Sequence, residues 1–268
     1  DCSTNMLIFA PLCLPLCWLL SVESIRFNFT LRDANEPIPL SMVEDSVDDM
    51  YFGCSEEMMK TVTHKYRKEL DVGPYADTLK KNEVKKCVEK NLKEKEDEAL
   101  TKNHMQALCA YTSNFMYQEF NTAVRTNESV YTSSFQFHIL HFFLTSAIQI
   151  LNNKYNCSTT YRRTKDKFTG KVKERIRFGS FSSSSFRTDL LPFGNKSCFK
   201  ITTCTGAYLK RYSVYDEKEV LIPPYEVFRI TEKYEGNSKL PELKDCGVVF
   251  VLKSEGDQSR LNCKIAQI

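Results

Sequence analysis

The chain carries no surplus of charge of either sign: 37 basic and 34 acidic side chains nearly cancel, leaving +3 over 268 residues. Nucleic-acid binding normally demands a concentrated basic face, so that class of partner is excluded. No CxxC pair occurs, so no zinc site is expected and no metal is predicted. The apolar run Leu7–Val22 is too short for a comfortable membrane span, and no apolar tail follows Cys263, so neither a spanning segment in the mature chain nor a lipid-anchor signal is expected. There is no internal repeat.

What is present is enough apolar side chain, 42%, to build a core. The run Leu7–Val22 resembles the centre of a secretory signal peptide with Met6 as its initiator, although the usual basic segment is missing and residues 1–5 read as an upstream remnant. Residues 1–24 are therefore expected to be removed, leaving residues 25–268 as a single domain of a secreted, extracellular protein. Of 11 cysteines, Cys2, Cys13 and Cys17 fall in the discarded part. The rest, Cys54, Cys87, Cys109, Cys157, Cys198, Cys204, Cys246 and Cys263, form an even set suited to disulfides, and spacing alone does not choose their pairing. Sequons begin at Asn28, Asn127, Asn156 and Asn195, as on a glycosylated surface.

Apolar periodicity divides the chain. Ser55–Lys68, Thr78–Leu100 and Ser134–Leu151 read as helices, the second with Val84, Val88 and Leu92 on one stripe beneath a solvated Lys/Glu face, the third capped by Ser133 or Ser134. His138 and His141 on that third helix read as packing or hydrogen-bonding groups, because no acidic or cysteine partner lies nearby in sequence. After Cys157, strands are expected at Thr159–Thr164, Arg175–Phe178, Phe199–Thr203, Glu219–Ile222, Tyr225–Thr231 and Val248–Lys253. The fold class is α+β: a helical half, residues 25–152, packed on a mostly antiparallel β half, residues 153–268.

Three stretches of the β half carry chemistry. Arg162, in Tyr161-Arg162-Arg163-Thr164, could pin a pyrophosphate through its fork of donors. In Arg177–Phe186, four consecutive serines are flanked by Phe178, Phe181 and Phe186, which argues for a strand with small hydroxyls facing a cleft rather than a linker. In Glu217-Lys218-Glu219, alternation along a strand would send both carboxylates into one space and lift one pKa by repulsion. Two carboxylates suit glycosyl chemistry, one stabilising a cationic sugar and the other managing a proton.

Taken in order, these stretches resemble the arginine-specific mono-ADP-ribosyltransferases, the vertebrate ectoenzymes related to bacterial ADP-ribosylating toxins. The family carries a strand arginine after an aromatic, a phenylalanine-led Ser-x-Ser strand, and Glu-x-Glu running into Leu-Ile-Pro-Pro. Here those are Tyr161-Arg162, Phe181–Ser185 and Glu217–Pro224, joined by Asp45–Cys54, Ala110–Thr112, Phe135–Leu151 and Thr203–Gly206. The resemblance implies a toxin-like NAD-binding core, NAD as substrate, and arginine side chains of extracellular or cell-surface proteins as acceptors. It implies that Arg162 contacts NAD, Ser183 supports the nicotinamide side, Glu219 stabilises the ribosyl cation and Glu217 receives the acceptor guanidinium. Tyr111 would stand at the NAD cleft, with Ser180 and Ser213 lining the cofactor and the loop ahead of Glu217, and Tyr212 and Tyr215 would rest against the protein target. Arg163 stands where the family commonly has glycine. The resemblance also implies Cys54–Cys263 and Cys157–Cys204 disulfides, the first closing a loop worth at most roughly 5 kcal/mol. Alternatives are NAD glycohydrolysis at the same site, with water as acceptor, and a catalytically silent secreted binding module. A two-carboxylate glycosidase is disfavoured, since i and i+2 side chains sit too close to flank a scissile bond.

Overall fold

Hydrophobic periodicity builds the helical layer. In the computed structural model, which describes residues 36–152, 156–236 and 239–266, β1 (Ile38–Pro39) is followed by α1 (Ser55–His64), α2 (Pro74–Leu79), α3 (Asn82–Lys93), α4 (Lys102–Thr112), α5 (Tyr117–Thr126) and α6 (His138–Leu151). The leader, its three cysteines and Asn28 lie outside the described residues. The expected Thr78–Leu100 helix is in fact α2 and α3, parted at Lys80 and Lys81, and the chain leaves helical conformation after Lys93. On α3, Val84 and Val88 are buried as the stripe predicts, but Leu92 is exposed and Asn91 takes the inward position. Asn91 is inward because its amide reaches the Tyr212 carbonyl at 3.2 Å.

Helix α4 had no apolar stripe to announce it. It starts at a capping box in which Thr101 and His104 satisfy each other's backbone donors, with histidine in the place usually held by Glu or Gln. Helix α6 is apolar on nearly every side and therefore central. Its N-terminus is not capped by Ser133 or Ser134, because the chain turns before Phe137. Glu69 does that work from another segment, accepting from the Ile139 N–H at 2.9 Å and pairing with His138 Nδ1 at 2.8 Å. His141 is held between the Tyr51 hydroxyl, 2.6 Å, and the Val47 carbonyl, 3.0 Å, so both histidines are committed to packing and hydrogen bonds.

The β half comprises β2 (Ser158–Thr164), β3 (Phe168–Thr169), β4 (Arg175–Ile176), β5 (Ser182–Ser185), β6 (Ser197–Thr203), β7 (Ala207–Tyr208), β8 (Glu219–Ile222), β9 (Glu226–Glu235) and β10 (Val248–Asp257). Eight of these strands form one sheet in the order β4-β9-β10-β6-β2-β5-β8-β7, antiparallel except for the β10–β6 pair; β3 pairs with β1. Helices pack on the β5–β8–β7 end through Phe181, Ala207, Leu209 and Leu221. A second core, with Ile176, Phe199, Phe228, Ile230 and Phe250, lies on the other strands.

There are four disulfides among the described residues: Cys54–Cys263, which ties the start of α1 to the segment after β10, Cys157–Cys204, Cys87–Cys109 and Cys198–Cys246. The third joins α3 to α4. Among the described residues no helix is long and apolar enough to cross a membrane. Asn156 and Asn195 are exposed and Asn127 half-buried.

Candidate functional site

The sheet opens where β2 meets β5. These neighbours share one pair, Tyr161↔Ser185, whereas β2 stays in register with β6 along its whole length and β5 with β8 along its own. Away from that pair, β5 has backbone groups with no strand partner. Arg162 supplies one bond from its side chain, Nη1 to the Ser183 carbonyl at 2.5 Å. The separation leaves a cleft of about 460 Å³, walled by β2, β5, the end of α4, the start of α5 and the segment after β5.

Arg162, Ser183, Glu217, Glu219 and Tyr111 all line this cleft. They come from four segments far apart in sequence. Tyr111 is held by its hydroxyl, which donates to the Phe181 carbonyl at 2.9 Å and receives the Asn121 amide at 3.3 Å. Two residues assigned to the site stand behind it instead. Ser180 is buried outside the cleft, its hydroxyl taken by Arg125 Nη2 at 2.7 Å. Ser213 does not line the cleft but donates to Glu219 Oε2 at 2.9 Å, so it orients that carboxylate.

The two glutamates are not successive inward residues of one strand. Strand β8 begins at Glu219, and Lys218 before it has a left-handed backbone, φ 48°. Glu217 reaches the cleft from the turn, its carbonyl accepting from the Ser185 hydroxyl at 2.5 Å. Their environments differ accordingly. Burial pushes the Glu219 carboxyl above its ordinary pKa; the Ser183 and Ser213 hydroxyls and Arg162 oppose this, and the charge of Glu217 adds to it. Repulsion is thus real but secondary to desolvation. The half-buried Glu217 is also raised by burial, with Arg187 opposing.

The opposite wall is positive. Burial works against the charge of Arg162, but Tyr117 beside it holds its pKa up. Arg162 spends its donors on the Ser183 carbonyl and, weakly, the Tyr117 hydroxyl at 3.5 Å, and Arg125 on Ser180. Neither forms an ion pair among the described residues, and of the two Arg162 lines the cleft, a half-buried positive charge. Such charge suits a pyrophosphate.

Arg163, which also lines the cleft, is committed to a structural task. Its guanidinium grips Asp245 at 2.7 and 2.9 Å, and its Nε donates to the Thr188 carbonyl at 2.8 Å. Asp245 precedes Cys246, whose disulfide returns to Cys198, the cross-strand partner of Arg163. Arg163 therefore pins the Arg187–Phe193 wall of the cleft. That wall, with Arg187, Leu190 and Phe193, was not legible in sequence, since nothing in its composition distinguishes it from a loop.

The loop ahead of Glu217 is stapled to the helices. Tyr212 is fully buried, so it cannot rest against a target: its hydroxyl donates to Asp97 at 2.8 Å and accepts from the Glu96 N–H at 3.1 Å. The Val214 N–H donates to Thr112 Oγ1 at 3.0 Å. Tyr215 stays exposed at the cleft, bonded to Glu83 at 3.0 Å. Of the four serines' neighbours, Phe178 and Phe181 are buried and Phe186 is exposed.

Comparison with known proteins bears on this geometry. The family model described as NAD:arginine ADP-ribosyltransferase matches residues 40–245. Ecto-ADP-ribosyltransferase 5 of Bos taurus is 34% identical over 255 residues, covering 85% of this chain and 78% of that protein. A solved structure of a mutant eukaryotic mono-ADP-ribosyltransferase, ART2.2, in complex with NAD is 27% identical, with a TM-score of 0.68 over 85% of this chain and 99% of that one. Exoenzyme S of Pseudomonas aeruginosa, 17% identical with a TM-score of 0.53, covers 68% of this chain and 87% of its own and shares the fold.

Proposed function

The chain belongs to the NAD:arginine ADP-ribosyltransferase family, and on that premise we propose how its cleft moves ADP-ribose from NAD to an arginine. The observation that carries the reading is the convergence of Arg162, Ser183, Glu217 and Glu219 on one cleft with a positive wall and an acidic wall. Arg162 takes the pyrophosphate. Ser183 sits on β5 at the nicotinamide side, and Tyr111 closes the floor.

The bond between the nicotinamide nitrogen and the ribose breaks with its electron pair leaving on nicotinamide, and the sugar becomes cationic. Glu219, ionised and buried, stabilises that charge. A guanidinium nitrogen of the acceptor then bonds to the same carbon, its proton passing to the Glu217 carboxylate. Glu217, half-buried at the mouth, holds the acceptor guanidinium and favours its nucleophilic form. Four disulfides suit an oxidising compartment and agree with an extracellular enzyme, whose acceptors are arginine side chains of extracellular or cell-surface proteins. The sequons at Asn127, Asn156 and Asn195 are proposed glycan sites.

The test uses labelled NAD and a generic arginine acceptor. Glu217→Gln is expected to lower label transfer by about 10²-fold or more while nicotinamide release persists, which is the split of roles made measurable. Equal loss of both would remove that split, and no nicotinamide release from the unaltered protein would sink the enzymatic reading.

Arg163→Gly gives a separate expectation. Freed from Thr188 and Asp245, the cleft wall loosens, so KM for NAD should rise several-fold with kcat largely kept. Initial rates against NAD concentration check it. A fall in kcat at unchanged KM would mean the residue does something else.

A further inference from the structure

The loop of residues 209–216 carries Ser213, whose hydroxyl reaches Glu219 Oε2 at 2.9 Å from behind the cleft. A hydroxyl orients a carboxylate only as well as its own backbone is held. Both peptide units flanking Ser213 are held, and each by a helix side chain. On one side the Asn91 amide of α3 donates to the Tyr212 carbonyl at 3.2 Å. On the other, Thr112 Oγ1 at the end of α4 accepts from the Val214 N–H at 3.0 Å. The Tyr212 hydroxyl anchors its ring to Asp97, which leaves the orientation of the following peptide plane to Asn91.

Asn91 is costly where it stands. It is buried, and its Oδ1 has no hydrogen-bond partner among the described residues. A leucine would fill that inward position of α3 without an orphaned oxygen. What asparagine adds is donors: Nδ2 faces the Tyr212 carbonyl and both sulfurs of the Cys87–Cys109 disulfide, at 3.5 and 3.4 Å. The reverse amide orientation would set oxygen against that carbonyl. The disulfide also fixes the spacing of the two anchors, since Cys87 lies one turn before Asn91 on α3 and Cys109 one turn before Thr112 on α4.

We propose that Asn91 and Thr112 are positioning residues for the reaction, holding the backbone on either side of Ser213 so that its hydroxyl stays on Glu219. The proposal rests on the role given to Glu219 above. Asn91 stands outside the cleft and acts through the loop. Glu219 also faces the charges of Glu217 in the turn and Arg162 on β2, and the hydroxyls of Tyr111 on α4 and Tyr117 on α5. Asn91 spends its donors elsewhere, on the Tyr212 carbonyl and the disulfide.

The test is the pH profile of nicotinamide release for Ser213→Ala, Asn91→Leu and Thr112→Val. The Ser213 hydroxyl holds the Glu219 carboxyl down against burial. Its loss should move the acid limb up by about half a pH unit or more and lower kcat roughly tenfold, with KM for NAD little changed. Asn91→Leu and Thr112→Val are expected to shift limb and kcat in the same directions. Asn91→Leu added to Ser213→Ala should lower kcat by no more than about twofold further, because the hydroxyl it positions is already gone. Circular dichroism reports folding, and Thr112→Val, which keeps the side-chain shape, carries the same test should Asn91→Leu fail to fold. An unmoved acid limb in the folded variant, or a loss that adds in full to that of Ser213→Ala, overturns the positioning role, as does an unmoved limb in Ser213→Ala itself. No nicotinamide release from the native enzyme at any pH would instead overturn the reading of Glu219, and the positioning role with it.

Discussion

Glu219→Gln is expected to slow nicotinamide release from NAD by about 10³-fold, with the loss in kcat rather than KM. Glutamine keeps the size of the side chain and can still accept from Ser213, so the cleft should hold its shape. What it lacks is charge. A buried carboxylate faces a cation that exists only as nicotinamide departs, so its contribution is confined to the transition state. At a carboxylate buried as deeply as Glu219 this attraction is far stronger than at an exposed site.

Two further measurements separate this from damage to the fold. In the proposed role Glu219 works in its ionised form, and burial raises its pKa. The acid limb of the rate profile should therefore lie above the range of a free glutamate and vanish from the residual activity of Glu219→Gln. The stability sign is opposite to that of a typical salt-bridged acid. A carboxylate whose folded pKa is raised contributes stability that is complete below its unfolded pKa and is lost as pH rises through the folded value. Above its folded pKa Glu219 is ionised at a net cost, so in that range Glu219→Gln should melt no lower than the native protein. A drop in melting temperature alongside the drop in rate would contradict the assignment.

Arg177→Met is expected to be the most destabilising single substitution considered, at about 3–5 kcal/mol. The guanidinium of Arg177 and the carboxylate of Asp48 are both 0% exposed and meet at 2.5 Å. Arg177 also donates to the carbonyls of Met42 at 2.7 Å, Gln258 at 2.8 Å and Val43 at 3.1 Å. Asp48 in turn accepts from the backbone of Arg260 at 2.9 Å and Leu261 at 3.0 Å. One pair thus holds the segment before α1, the exit of β4 and the end of the chain. Removing Arg177 strands a buried carboxylate and three carbonyls together. For a chain of this size the loss corresponds to a fall of roughly 6–20 °C in melting temperature.

Adding Asp48→Leu should not restore stability, unlike the replacement of many isolated buried pairs by apolar residues. The Arg260 and Leu261 N–H groups would then lose their acceptor as well. Thermal unfolding of the single and double variants decides it, and recovery in the double variant would show that the pair acts only as a pair.

Much of this protein was legible without coordinates because its information is local. Alternation and apolar stripes placed β8 at Glu219–Ile222 as expected, placed β2 and β6 to within two residues, and placed the buried α6 apart from its first turn. Arg162, Ser183 and Glu219 could likewise be singled out from motifs, since a motif is a string, and all three line the cleft. What the string could not contain was anything made by distant segments meeting. Glu69 replaces the local serines as the cap of α6 because it arrives from 70 residues away, and an apparently exposed Tyr212 is buried because Asp97 and Asn91 receive it. Arg163 departs from the glycine common in the family, and only the fold shows it gripping Asp245 beside the Cys198–Cys246 disulfide. The residue types were set along the chain; which of them face the cleft or stand behind it was decided by burial and pairing across the whole fold.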